Sequence, residues 1–120
     1  MLAMCFFFLQ NRLMYPSGVA YYDITPQHGK NKIDYTELVI ETEDKVKIKG
    51  WFLYPNKTTD QAPTFVVMHE HMGGLSERMD VYRKLVGSGA NVLAMAYRGY
   101  SGNKGNPSES ALKKDADAII

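Results

Sequence analysis

Cysteine is nearly absent: Cys5 is the only one in 120 residues. One thiol cannot close an intramolecular disulfide, which excludes a disulfide-stapled secreted scaffold. Cys5 lies in an apolar run, where cysteine behaves as a small buried hydrophobe; a palmitoylation site beside a membrane anchor is the alternative. A surplus of either charge is also missing. The 14 basic and 13 acidic residues leave a net charge of +1, and no basic face argues for nucleic acid as a partner. Long hydrophobic runs are missing too. Met1 to Leu9 are all apolar, but crossing a bilayer takes about 20 such residues. No basic stretch precedes that run and no clear small-residue cleavage site follows it. Three readings of it stay open: the end of a truncated anchor helix, a short surface-binding segment, or a packed N-terminal arm. Internal repeats and low-complexity tracts are absent as well.

What is present is the composition of a globular chain, 45% hydrophobic and 22% charged. A chain of this length has room for one domain and buries somewhat under ~70% of its unfolded surface. Residues 15–32 contain Pro16, Gly18, Pro26 and Gly29 without a clean period and read as a lead-in loop. From Thr36 to Thr42 the sequence alternates, Leu38 and Ile40 against Glu37 and Glu41, as a half-buried strand does. Glu43, Asp44 and Lys45 form a polar turn. Val46, Ile48 and Phe52 then alternate with Lys47, Lys49 and Trp51, the second strand of a hairpin, with Gly50 marking a bulge or a close approach. Pro55 to Ala62 is a polar loop.

The character changes at Pro63. Thr64 to Met68 is a short, nearly continuous apolar run, the pattern of a parallel strand covered on both faces. Leu75, Met79, Tyr82, Leu85 and Val86 fall at helical spacing, ending at Gly87 or Gly89. Asn91 to Tyr97 is a second apolar run, and Arg98 to Gly105 a glycine-rich loop. Asn106 as cap, Pro107 and Glu109 open another helix, with Leu112, Ala116, Ile119 and Ile120 on one face. A hairpin followed by strand–helix–strand–helix predicts an α/β fold: parallel strands with crossover helices in an incomplete sheet. So few strands leave an apolar edge uncovered, which points to an unfinished domain or to a partner covering that edge.

Chemistry concentrates in the loops after the two apolar runs. His69, Glu70, His71, Met72, Gly73 and Gly74 follow the first, at the C-terminal edge where open α/β sheets bind ligands. Backbone N–H groups beside a helix N-terminus favour anions and developing oxyanions; a plain turn between strand and helix is the competing reading. His69 and His71 stand two apart rather than four, with no third ligand in view, so no metal and no cofactor are expected. Gly99-Tyr100-Ser101 fails as a nucleophile elbow because Asn103 stands where Gly-x-Ser-x-Gly needs its last glycine, and Gly87-Ser88-Gly89 ends a helix. The Walker pattern is absent.

Together, Phe65-Val66-Val67-Met68-His69-Glu70-His71-Met72-Gly73 and Val92-Leu93-Ala94-Met95-Ala96-Tyr97-Arg98-Gly99-Tyr100-Ser101-Gly102 resemble the α/β-hydrolase superfamily. There, two antiparallel strands precede a strand ending in His-Gly-x-x-Gly, a helix, and a strand ending in Arg-Gly-x-Gly. Leu9-Gln10-Asn11-Arg12-Leu13-Met14-Tyr15-Pro16, Tyr97-Arg98-Gly99-Tyr100 and Pro107-Ser108-Glu109 are similar to the single-pass membrane branch, which includes bud-emergence-type hydrolases related to serine aminopeptidase-like enzymes. The resemblance runs from about Leu9 to Ile120.

It implies a serine hydrolase acting on an ester, thioester or amide acyl group, with a Ser-Asp-His triad. The backbone N–H of His71 would be an oxyanion donor, His69 the structural histidine opening the loop, and Glu70, Met72 and Gly73 further lining; Glu70 departs from the motif's glycine. The triad lies beyond these residues, so the chain is expected to be an N-terminal portion, inactive alone: 1–14 the remnant of an anchor, 15–32 the lead-in, 33–120 the start of the hydrolase domain. Membrane association through residues 1–9 in a single-pass parent, otherwise cytoplasmic, follows from the same resemblance. The alternatives are a non-catalytic binding or regulatory piece needing a partner at the open sheet edge, or a complete small binding module.

Overall fold

A computed structural model describes residues 9–10, 13–15, 26–27, 32–57, 59–69 and 74–120. The apolar run at 1–8, most of the lead-in and the segment 70–73 lie outside the described residues. Four strands form one sheet: β1 (Asp34–Glu41), β2 (Lys47–Tyr54), β3 (Thr64–Met68) and β4 (Asn91–Met95), in the order β1-β2-β4-β3. The β1–β2 and β2–β4 pairs are antiparallel and the β3–β4 pair is parallel. A 3-10 turn, Leu75–Arg78, leads into helix α1 (Met79–Gly87), and helix α2 (Glu109–Ile119) follows the glycine-rich loop. This is the order expected from the sequence, an antiparallel hairpin feeding a parallel pair.

The β1–β2 turn falls where Glu43, Asp44 and Lys45 place it, with Lys45 at φ 65°. Thr42 closes it, its Oγ1 accepting from the Val46 N–H at 3.1 Å. The second strand differs from the sequence expectation. Its alternation suggested one wet face, with Phe52 inside and Trp51 outside. Instead Trp51 and Leu53 are buried and Phe52 is only half-buried. The reason is that β2 is an inner strand of the sheet and elements pack over both of the sheet's faces. Ile48 packs with Met95 and Ile119 on the α2 side, while Trp51 and Leu53 pack with Val92, Ala94, Leu75 and Tyr82 on the α1 side. Gly50 is a close approach. A Cβ there would collide with the Ala94 carbonyl oxygen and the Met95 sulfur, and would lie 2.7 Å from the Met95 Cα.

β3 departs in the opposite direction. Its apolar run suggested burial on both faces, yet it is the edge strand, and Phe65 and Val66 remain 46% and 45% exposed. Helix α2 also starts later than expected. Ser108, not Asn106, is the cap: its Oγ accepts the Ala111 N–H at 3.2 Å, while Pro107 is buried just before it. A hydroxyl three residues before an orphan N–H satisfies it directly. On the same helix Asp115 is fully buried, a position that apolar periodicity cannot find.

Candidate functional site

Parallel β3 and β4 end side by side, Met68 paired with Met95, so the loops leaving them share one edge of the sheet. His69 follows β3 directly and is 8% exposed. Its Nε2 accepts the backbone N–H of Tyr97 at 3.0 Å. An accepting Nε2 carries no proton, which assigns the neutral ring with its hydrogen on Nδ1. Two aromatic rings flank it, Tyr97 at 4.9 Å edge-on and Tyr100 at 4.6 Å tilted. Burial raises the phenol pKa of both tyrosines, with the Asp115 charge adding to it at Tyr97 and Tyr15 at Tyr100. The His69 ring is thus held by one hydrogen bond and two aromatic neighbours. Glu70, His71, Met72 and Gly73 lie outside the described residues.

The other end of that segment is held from the same side. Leu75 opens the 3-10 turn, and its N–H has no acceptor from its own cap residue, Gly74. The acceptor comes from across the site: Ser101 Oγ, 3.0 Å away. The Leu75 carbonyl accepts from the buried Tyr82 hydroxyl at 2.8 Å. Tyr97 and Ser101, both in the stretch after β4, thus fix residues on either side of 70–73.

That stretch is itself strongly braced. Asn103 Oδ1 accepts the Lys49 N–H at 3.0 Å and its amide donates to the Ala96 carbonyl at 2.9 Å, stitching the loop to β2 and β4. Arg98 is 5% exposed. Its guanidinium donates to both oxygens of Asp44, at 2.7 and 2.9 Å. Its Nε and Nη2 reach Asp115 Oδ1 at 2.9 and 2.7 Å, and its backbone N–H reaches Asp115 Oδ2 at 2.8 Å. One side chain therefore ties the β1–β2 turn to α2 under the loop. The hydrogen bond from Arg98 holds the Asp44 carboxyl well below the ordinary carboxylate range, with Thr42 contributing next. The Asp44 and Asp115 carboxylates in turn hold Arg98 in its charged form. Gly105, at φ +107°, passes so close that a Cβ would lie 3.2 Å from the Arg98 Cβ.

Ser101 sits in a loop rather than on a strand-to-helix elbow, and its hydroxyl accepts the Leu75 N–H. Ser88 ends α1, where its Oγ donates to the Leu85 carbonyl at 2.6 Å. The sequence reading did not single out Asp44, Asp115 or Asn103; only the order turn, loop, helix could have hinted that polar residues in them meet. Among the described residues no helix is long and apolar enough to cross a membrane.

No protein-family model matches the sequence. An uncharacterized membrane protein of Saccharomyces cerevisiae is 32% identical over 118 residues, covering 92% of this chain and 39% of that protein. Alpha/beta hydrolase domain-containing protein WAV2 of Arabidopsis thaliana is 28% identical over 118 residues, covering 92% of this chain and 37% of that protein. Among solved structures, a Pyrococcus furiosus esterase superposes with a TM-score of 0.62 at 24% identity, over 83% of this chain and 37% of the esterase. The chain thus spans under two fifths of the length of these relatives.

Proposed function

Since the chain belongs to the α/β-hydrolase superfamily and forms the first part of its fold, we propose that it supplies the oxyanion side of a serine hydrolase acting on an ester, thioester or amide acyl group. Residues 70–73 form the substrate-facing segment, and the His71 backbone N–H is the donor to the developing oxyanion. The observation carrying this is the bracing of both flanks of that segment, His69 by Tyr97 and Leu75 by Ser101, at the C-terminal edge of parallel strands. Donors that are fixed before reaction need no reorganisation as charge develops, which is where such sites gain most.

No Gly-x-Ser-x-Gly elbow occurs in these 120 residues, so the nucleophile, its histidine and the orienting aspartate belong to further sequence of the whole protein. These residues alone therefore do not catalyse the reaction. In the whole protein, the serine attacks the acyl carbonyl, the histidine takes its proton, and the tetrahedral oxyanion is held by the N–H after the serine together with that of His71. The apolar run Met1–Leu9 and the S. cerevisiae relative called a membrane protein support a membrane-anchored enzyme.

A second reading has its own observation. Phe65 and Val66 on edge strand β3 are exposed, as they would be in a non-catalytic module that docks a partner strand there. Sequencing the transcript through Ile120, then assaying the encoded protein on p-nitrophenyl acyl esters, separates the two. Hydrolysis blocked by a serine-directed organophosphate supports the hydrolase. A stop codon after Ile120, with no hydrolysis, overturns it in favour of the binding module.

A further inference from the structure

We propose that a recess at the N-terminal end of the parallel strands binds a neutral pyranose sugar, through an aromatic floor and a rim of hydroxyl and carboxylate groups. The site is independent of the hydrolase reading above. The recess holds about 560 Å³, within the size range of small-molecule sites. Thr64 and Asn91, the paired first residues of β3 and β4, line it. Thr64 stands four residues before Met68, about 13 Å along the strand. The recess therefore lies at the other end of the sheet from the loops that leave β3 and β4.

Its floor is the α2 side of β2. Side chains alternate along a strand, so Phe52 and Tyr54 share the face of Ile48, which packs with Ile119 of α2. Both rings are half-buried, with centroids 6.2 Å apart and planes at 33°. Thr36 of β1 stands opposite Phe52. Thr59 and Asp60 form the far wall. Two backbone bonds hold that wall: the Ala62 N–H donates to the Thr59 carbonyl at 3.0 Å, and the Asn91 N–H donates to the Pro63 carbonyl at 2.9 Å. Among the described residues, no protein group bonds the side-chain oxygens of Thr36, Tyr54, Thr59, Asp60 or Thr64.

This combination selects a chemistry. The negative face of an aromatic ring attracts C–H groups laid over it. A pyranose offers such a face and carries hydroxyls around its edge. Those hydroxyls donate and accept, as the threonine and tyrosine hydroxyls do, while an ionised Asp60 accepts only. An organic cation fits less well, because Asp60 is the one charged residue of the lining; the same carboxylate disfavours an anion.

The test is calorimetric titration of the whole protein with methyl glucoside, methyl galactoside and methyl mannoside, alongside capture on beads carrying oligosaccharides of the same sugars. At least one sugar should bind saturably. Asp60→Asn and Phe52→Leu should each weaken that binding roughly tenfold. Asp60 is exposed, so Asp60→Asn should leave Tm unchanged and decides the matter if Phe52→Leu lowers it. Binding of the methyl glycosides identifies a free sugar, and binding of the oligosaccharides alone identifies a glycan; both support the site. Absence of saturable binding by every sugar, binding that either variant leaves unchanged, or binding of tetramethylammonium alone overturns the proposal.

Discussion

Asp115 should be the most costly polar residue to remove among the described residues. It is fully buried and accepts three N–H donors from one residue, the Arg98 backbone, Nε and Nη2, at 2.8, 2.9 and 2.7 Å. Asp115→Ala leaves the guanidinium, 6% exposed at its side chain, with the partly exposed Asp44 as its remaining carboxylate, and leaves a backbone N–H without the acceptor it has now. Breaking a buried ion pair from one side costs about 3–5 kcal/mol, a large share of a domain's total of roughly 5–15 kcal/mol. With a urea slope of about 2 kcal/mol per molar, the unfolding midpoint of the whole protein should fall by about 1.5–2.5 M. Asp115→Asn should lose less, because its amide oxygen still accepts one N–H while its NH2 faces the guanidinium. The paired variant Arg98→Met with Asp115→Leu should recover part of the loss, since the buried cation and the buried carboxylate are then both gone and Asp44, 31% exposed at its side chain, can be solvated. A loss below about 1 kcal/mol for Asp115→Ala would refute the claim that this pair ties α2 to the loop.

Other outcomes follow from the same contacts. Asp44 titrates below the ordinary carboxylate value because of Arg98 and Thr42. Its stabilisation is therefore complete above about pH 4 and is lost as pH falls below that; acid unfolding of Asp44→Asn should show a shallower pH dependence than wild type, and identical curves would contradict it. Gly50→Ala should lower stability by about 1–3 kcal/mol, because the added carbon meets backbone of β4 that cannot give way; an unchanged urea midpoint would mean that the strands lie farther apart. Tyr82→Phe should cost about 1–2 kcal/mol through the lost bond to the Leu75 carbonyl, measured in the same titration.

The sequence was most legible where local rules act. The β1–β2 turn and the run Thr64–Met68 followed from turn chemistry and apolar runs, and those signals depend on neighbours in the chain. Burial on the two faces of β2 and at the edge of β3 did not follow, because both depend on strand order. Trp51 is inside since Leu75 and Tyr82 pack on the face that a two-stranded hairpin leaves wet. Phe65 is exposed since nothing in the described structure flanks β3. Long-range polar contacts were the least legible: Asp44, Arg98 and Asp115 are separated by turns, strands and a helix, and no periodicity links them. In the site, His69 was singled out only through the resemblance of His69-Glu70-His71-Met72-Gly73 to the family's His-Gly-x-x-Gly. The roles of Ser101 and Asn103 were hidden, because a serine and an asparagine in a glycine-rich loop look like ordinary turn residues.

The central claim is that residues 70–73 hold an oxyanion, and a crystal structure of the whole protein carrying a fluorophosphonate adduct tests it most directly. The label should sit on an elbow serine beyond Ile120, with the phosphonyl oxygen about 2.7–3.1 Å from the His71 backbone N–H. A phosphonyl oxygen turned away from residues 70–73, or a label on Ser101, would contradict it.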